Sequence, residues 1–175
     1  MQDKIFEAFL RHQFQEGTAL ARDSDLLELF PLGTPGAPPD RYVARFLCKG
    51  LVRDGQGEVA EANGFEVGVW FPSDYLRHVE PIQVVTWLNP PGVFHPNIRP
   101  PFMCLGKLTP GTSLVDILYQ CFEVITYHNW APHDALNPEA SQWARNHQDR
   151  LPVDKRPLKR RKLDLHCTPA QGGQP

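Results

Sequence analysis

Residues 95–106 of this chain are His95-Pro96-Asn97-Ile98-Arg99-Pro100-Pro101-Phe102-Met103-Cys104-Leu105-Gly106. The prolines cannot donate backbone hydrogen bonds, so the segment is predicted to be an irregular connection and not a central strand. A cysteine on such a stiff backbone is presented to solvent more readily than one packed inside a strand or helix. A partly exposed thiol whose thiolate is favoured is a nucleophile. We therefore predict that Cys104 carries an acyl group and that the rest of the chain positions it.

Asn97 lies seven residues before Cys104 and carries an amide NH2 group. Such a donor stabilises the oxyanion that develops when a carbonyl is attacked. No general base is adjacent to the cysteine, which favours acyl exchange between thiols over hydrolysis. The alternative for any single cysteine is a buried small apolar residue. Cys48, in a predicted strand, and Cys121, in an apolar helical stripe, are assigned to that alternative.

Length and charge divide the chain into a folded body and a tail. The 175 residues suit one domain of ordinary size. Residues 1–150 carry 12 Lys and Arg against 18 Asp and Glu, whereas residues 151–175 carry six against two. The acidic body is unsuited to binding nucleic acid. The basic segment 151–175 lacks hydrophobic periodicity and is predicted to be a disordered tail.

Cysteine usage and hydropathy indicate the compartment. The four cysteines are far apart and form no CxxC pair, which is not typical of a disulfide-stapled secreted protein. The N-terminus has no apolar signal region, and no run reaches the roughly 18 apolar residues of a membrane span. We expect a reduced, cytoplasmic protein with no membrane partner.

The N-terminal half is predicted to be a helix followed by strands. An amphipathic helix is expected at residues 3–15, with Gly17 as its stop, and a short helical piece at residues 26–30. Alternating side chains predict strands at the segments 42–52, 65–71 and 82–88. The short links between these strands favour antiparallel pairing.

Two helices are predicted after Cys104. The first begins at Ser113, with Asp116 three residues later as an acidic variant of the capping box. The second begins at Asn137-Pro138, a cap followed by proline at the first helical position, and ends near Asn146. Strands followed by helices indicate an α+β fold, with an N-terminal helix, three or four antiparallel strands and C-terminal helices.

Three sequence segments, in this order, resemble the signatures of ubiquitin-conjugating enzymes. Phe71-Pro72-Ser73-Asp74-Tyr75 is similar to the family's Phe-Pro-x-x-Tyr. His95-Pro96-Asn97 with Cys104-Leu105 resembles its active-site signature. Asp134-Ala135-Leu136-Asn137-Pro138-Glu139-Ala140 resembles its Asp-Pro-Leu-Asn-Pro-Glu-Ala. The resemblance covers about residues 40–147 and implies the family's UBC-like fold, with a four-stranded meander, for the body at residues 1–150.

The resemblance also implies roles for five residues. Cys104 would accept the carboxyl terminus of a ubiquitin-like protein as a thioester, and Asn97 would stabilise the tetrahedral intermediate or brace the loop. Asp134 would orient or deprotonate the incoming lysine. His95 and Pro96 would be structural. The implied partners are a ubiquitin-like modifier, an ATP-dependent activating enzyme and a protein substrate. No cofactor is expected, since the chain has no phosphate-binding glycine loop of its own.

The chain departs from the family pattern at several points. The spacing from Asn97 to Cys104 is one residue shorter than usual, and Gly106 stands where an acid is common. The loop at residues 108–112 lacks the Trp-Ser-Pro-Ala that ligases of the RING type grip. The domain is expected to end after one helix, where eukaryotic members often add another. These features are similar to those of conjugating enzymes in bacterial ubiquitination-like operons, where transfer can occur without a ligase.

Other functions compete with this interpretation. A non-catalytic module with the same fold could bind a ubiquitin-like protein, and a cysteine hydrolase would need a histidine base on Cys104. The scattered His128, His133 and His147 lack metal-ligand spacing, so no metal site is expected. The basic run at residues 155–162 is interpreted as a solvated tail or as a docking segment for an acidic partner, with nucleic acid disfavoured.

Overall fold

The structure, a computed structural model, describes residues 3–160. It has the predicted α+β architecture, in which an N-terminal helix precedes a sheet and further helices follow. The elements in chain order are α1 (Lys4–Arg22), β1 (Leu27–Leu32), β2 (Arg41–Arg53), β3 (Val59–Trp70), α2 (Pro81–Val84), β4 (Val85–Asn89), β5 (Ile98–Arg99), β6 (Phe102–Met103), α3 (Leu114–Ile125), α4 (Pro138–Asn146) and a 3₁₀ turn (Gln148–Arg150).

The main sheet is an antiparallel meander in the order β1-β2-β3-β4, as the sequence predicts. On β2 the side chains of Tyr42, Ala44 and Phe46 are buried on one face, and the main core lies there. Helix α3 packs on β2 and β3, and α1 packs on β1 and α3. The hairpin β5–β6 joins the β4 edge through a hydrogen bond from the Trp87 backbone N–H to the Pro101 carbonyl. This contact ties the segment containing Cys104 to the sheet.

Helix α1 continues through Gly17 to Arg22, so the prediction that Gly17 stops it is wrong. Gly17 lies on the buried face of α1 together with Leu10, Gln13 and Leu20. A Cβ at this position would come within 2.6 Å of the Leu114 side chain of α3. The glycine therefore permits close helix packing, and this packing offsets the roughly 0.5–1 kcal/mol that glycine costs inside a helix.

Two local predictions between residues 24 and 89 also differ from the structure: the first in the type of element, the second only in where the strand begins. The predicted helical piece at 26–30 is the strand β1, because Leu27–Leu32 pairs with β2 along its whole length. The predicted strand at 82–88 begins as the single helical turn Pro81–Val84 and becomes β4 only at Val85. In the first case pairing with a distant strand overrides local propensity.

The two helices after Cys104 begin where the sequence predicts. The Ser113 hydroxyl accepts a hydrogen bond from the Asp116 backbone N–H at 3.1 Å and caps α3. The Asn137 side chain accepts from the Ala140 backbone N–H at 3.1 Å and caps α4. Within residues 3–160, no helix is long and apolar enough to cross a membrane.

Residues 151–160, here called the C-terminal strap, pack on the body, so the prediction of a disordered tail is wrong for them. Leu158 is 1% exposed and belongs to the main core. The buried Asp154 carboxylate accepts from the Lys49 backbone N–H and the Arg156 guanidinium. Lys49 follows an irregularity in the β2–β3 pairing, so the strap satisfies its donor. The rest of the predicted tail, residues 161–175, lies outside the described residues.

Within the described part of the basic run, residues 155–160, both arginines are paired inside the chain. Arg156 pairs with Asp154 at 2.7 Å, and Arg160 pairs with Asp25 at 3.4 Å. Arg160 also donates to the Arg22 carbonyl at 2.8 Å. The described part of this run therefore holds the strap in place, which leaves fewer cations for docking an acidic partner.

Candidate functional site

Cys104 is the exposed cysteine among the three cysteines within residues 3–160. It follows β6 directly, and its backbone N–H donates to the Asn97 carbonyl at 2.8 Å. Cys48 and Cys121 are fully buried in the core, as predicted for them. Burial raises the pKa of Cys48 to about 12 and raises the pKa of Cys121 as well. Of the three cysteines that the structure describes, Cys104 is thus the one presented to solvent.

Asn97 is 8% exposed and braces two loops at once. Its side-chain NH2 donates to the Cys104 carbonyl at 3.2 Å, and its side-chain oxygen accepts from the Ala131 backbone N–H at 2.8 Å. Its backbone N–H donates to Nδ1 of His95 at 3.0 Å. Of the two roles that the resemblance implies for Asn97, these contacts match the brace. One amide hydrogen of the side chain has no acceptor in these contacts.

His95, the first residue of the Cys104 segment at 95–106, is buried, and its ring centroid lies 4.2 Å from that of Tyr127. Burial lowers the pKa of His95 to about 3, opposed only in part by the Val124 backbone carbonyl. Because Nδ1 accepts from Asn97, the proton of the neutral ring is on Nε2, which makes no hydrogen bond of normal geometry with the described residues. So weak a base cannot take a thiol proton efficiently at neutral pH, which argues against a cysteine hydrolase based on His95.

Asp134 lies on a loop that is fastened to the Cys104 segment at both ends. Three residues before it, the Ala131 N–H binds Asn97, and three residues after it, the Asn137 N–H donates to the Pro96 carbonyl at 3.0 Å. The Asp134 side chain itself is exposed. The structure therefore brings together the loops of all five predicted site residues, with Asp134 and Cys104 exposed and His95 and Asn97 buried as supports.

Tyr127 contributes to the site, although its sequence context does not predict this. It follows Thr126, the C-cap of α3, and has a φ of 59°, a left-handed conformation that is usual for glycine and uncommon for tyrosine. Its hydroxyl donates to the Phe94 carbonyl at 2.6 Å, and its ring packs on His95. Tyr127 thus joins the end of α3 to the start of the Cys104 segment. The absence of glycine or asparagine just after α3 is the only sequence signal.

Gly106 explains one departure from the family pattern. Its φ is 91°, in the region that favours glycine, and an added Cβ would meet no atom within 4 Å. Backbone conformation, and not crowding, therefore disfavours an acidic side chain two residues after Cys104.

The arrangement supplies an exposed thiol on a fixed backbone and an exposed carboxylate on a loop fastened beside it. This combination suits transfer of an acyl group to and from sulfur, with the carboxylate available to an incoming amine. Among residues 3–160, the His, Cys, Asp and Glu side chains form no group that could hold a metal ion.

We expect native alkylation to discriminate sharply between the thiols. In a Cys167→Ser background, iodoacetamide at pH 8 should modify Cys104 well before Cys48 or Cys121. The pKa of Cys48, raised from 9.0 to about 12, leaves it about 1000-fold less thiolate than an ordinary cysteine, before burial slows access further. Peptide mass spectrometry over a time course measures each rate. Equal rates at all three sites in the folded protein would contradict the assigned exposure.

Comparison with known proteins adds no family assignment. No protein-family model matches the chain, and no curated protein matches it.

Proposed function

We propose that this chain is a conjugating enzyme of a ubiquitin-like pathway. It accepts a ubiquitin-like protein from an activating enzyme as a thioester on Cys104 and transfers it to a target amine, most simply a lysine. The observation that carries the proposal is that Cys104 is exposed while its backbone is held by Asn97. The Cys104 N–H donates to the Asn97 backbone carbonyl, and the Cys104 carbonyl accepts from the Asn97 side-chain amide. A thiol held this way meets a protein's activated carboxyl terminus without rearrangement of the loop.

The proposed reaction is two successive acyl transfers. The Cys104 thiolate attacks the thioester carbonyl of the charged activating enzyme, a new carbon–sulfur bond forms, and the activating enzyme's thiolate leaves. The substrate amine then attacks the Cys104 thioester, a carbon–nitrogen bond forms, and the Cys104 thiolate leaves. The amine proton passes to a base or to water. Asp134 is the carboxylate assigned to orient this amine or take its proton.

The protein's surroundings follow from this chemistry. Activation requires ATP, which the activating enzyme would consume, and the partners are that enzyme, the modifier and the protein substrate. An exposed catalytic thiol must stay reduced, which suits a cytoplasmic location.

The direct test is a charging assay. The chain, an activating enzyme, ATP and a candidate ubiquitin-like protein should give an adduct, dependent on ATP, that migrates at the summed mass and disappears on adding a thiol reductant. A modifier that binds the chain but never forms an adduct would support the alternative, a non-catalytic binding module with the same fold.

Asp134→Asn should separate charging from discharge. The thioester should form at the normal rate, because Asp134 makes no contact with the Cys104 peptide group, while discharge to free lysine should slow by about 100-fold, the lower end of general-base contributions. Single-turnover discharge of the charged protein measures the second rate. Glu139→Gln, which removes a carboxylate of the same region that is paired with Arg53, is the matched control. Equal discharge by the Asp134 variant and the parent would remove the assigned role.

A further inference from the structure

A cavity of about 400 Å³ lies between the β2–β3 turn, α4 and the 3₁₀ turn. No residue of the Cys104 segment at 95–106 lines it, and neither does Asp134. Two arginines at this cavity each lie on an aromatic ring. The Arg53 guanidinium carbon is 5.5 Å from the Phe94 ring centroid, and that of Arg150 is 5.2 Å from the Trp143 ring centroid. Stacking restrains the guanidinium groups, so less side-chain entropy is lost when their N–H groups bind a ligand.

Glu139 identifies the kind of group that these arginines bind. Its side chain is 74% exposed, yet its carboxylate accepts a hydrogen bond from Arg53 at 2.7 Å. Arg150 donates to the Val59 carbonyl at 3.4 Å and has no carboxylate partner within residues 3–160. One arginine of the cavity is therefore occupied by an exposed carboxylate of the same chain, while the second is open to an external one.

We propose that this cavity binds an acidic peptide segment of a partner protein. One carboxylate of the peptide binds Arg150, and a second displaces Glu139 from Arg53. The amide side chains of Gln142 and Asn146 also line the cavity, and they suit the N–H and C=O groups of an extended peptide backbone.

The charged residues of this cavity suit a ligand whose carboxylates are separate groups. Glu58 and Glu139 line the cavity together with the two arginines. The two arginines and two glutamates nearly cancel in formal charge, so the cavity offers no general positive potential to a compact anion such as phosphate. Binding instead depends on pairing each carboxylate of the ligand with one guanidinium group. The partly exposed ring of Trp143 offers a contact to an apolar side chain of a peptide, which inorganic phosphate cannot use.

The test is a titration of the full-length protein by NMR, observed at the indole N–H of Trp143, which Trp143→Phe assigns. The probe is the blocked pentapeptide acetyl-Glu-Leu-Glu-Leu-Glu-amide, and its matched control has glutamine in place of each glutamate. Inorganic phosphate is a third ligand. The glutamate peptide should give a saturable shift that weakens with added salt, whereas the glutamine peptide and phosphate should bind at least tenfold more weakly.

Two variants test the two arginine sites separately. Arg150→Gln should weaken binding of the glutamate peptide about tenfold, because a charge-assisted hydrogen bond is lost. Glu139→Gln should strengthen it about fivefold, because the competing carboxylate is gone. An unchanged amide spectrum away from the cavity verifies the fold of each variant, and Arg150→Lys, which keeps the charge, should fall between the parent and Arg150→Gln.

The proposal is overturned if no saturable shift occurs, if the glutamine peptide binds equally well, or if phosphate binds more tightly than the glutamate peptide. It is also overturned if Glu139→Gln weakens binding. The titration involves no step at Cys104, so these outcomes leave the proposed thioester chemistry untouched. Failure of the charging assay likewise leaves peptide binding at this cavity standing.

Discussion

Cys104→Ala should reduce the adduct in the charging assay to background, and Cys104→Ser should convert it to one that survives a thiol reductant. Alanine removes the nucleophile, so no acyl bond can form at this position. Serine forms an oxyester in place of a thioester, and thiols do not readily cleave an oxyester. Reducing and non-reducing gels, followed by peptide mass spectrometry of the serine adduct, identify the modified residue.

The matched control is a variant in which the three other cysteines are replaced. Cys48→Ala, Cys121→Ala and Cys167→Ser, combined, should leave charging at Cys104 intact, provided that circular dichroism confirms the fold. Since Cys48 and Cys121 are buried, a loss of stability in this variant would be a packing effect. A reducer-sensitive adduct that persists in Cys104→Ala would place the carrier thiol elsewhere and exclude the proposed site.

The helices near the site are predictable because their starts depend on neighbouring residues. Ser113 caps α3 and Asn137 caps α4, and both contacts span three residues. Strand β1 is not predictable in this way, since residues 26–30 satisfy a helical pattern as well as a strand. The pairing of Leu27 with Phe46 of β2 decides the outcome, and no local sequence window contains both partners.

The same distinction between local and distant contacts decides which features of the candidate site are predictable. The exposure of Cys104 agrees with the prolines that precede it, which exclude its segment from the centre of the main sheet and leave it at the β4 edge. The brace on that segment does not follow from local pattern, because Asn97 binds the backbone N–H of Ala131, a group that every non-proline residue carries. The left-handed conformation of Tyr127 is also not predictable from the local sequence, because tyrosine rarely adopts it and glycine is the usual residue at such a position.

The packing of the C-terminal strap on the body is not predictable from the sequence, because few of its residues make the contacts that hold it. Its composition is polar and proline-containing, which is typical of disorder. In the structure, Leu158 enters the core and Asp154 binds the Lys49 N–H. Hydrogen bonds from Arg156 lower the pKa of Asp154 to about 2, so its carboxylate stays charged throughout the neutral range. Two such contact residues in a stretch of ten form no repeating hydrophobic pattern that a sequence analysis could recognise.

Leu158→Ala should destabilise the protein by about 2–5 kcal/mol, because leucine-to-alanine changes in a core remove buried surface and leave a cavity. For a chain of this length the melting temperature should fall by about 5–15 °C. Val153→Ala is the matched control. Val153 lies in the same strap but is 40% exposed, so its loss should change stability by less than about 0.5 kcal/mol. Thermal and urea unfolding, followed by circular dichroism, measure both variants.

A double-mutant cycle decides whether the strap acts as one unit. If Leu158 and Asp154 hold the same segment, then releasing one anchor weakens the other, and Leu158→Ala combined with Asp154→Asn should cost less than the two separate losses together. Coupling of about 0.5–3 kcal/mol is expected for residues that share a structural element. Strict additivity would mean that each residue stabilises the body independently, and a Leu158→Ala variant as stable as Val153→Ala would show that residues 151–160 do not pack on the core in solution.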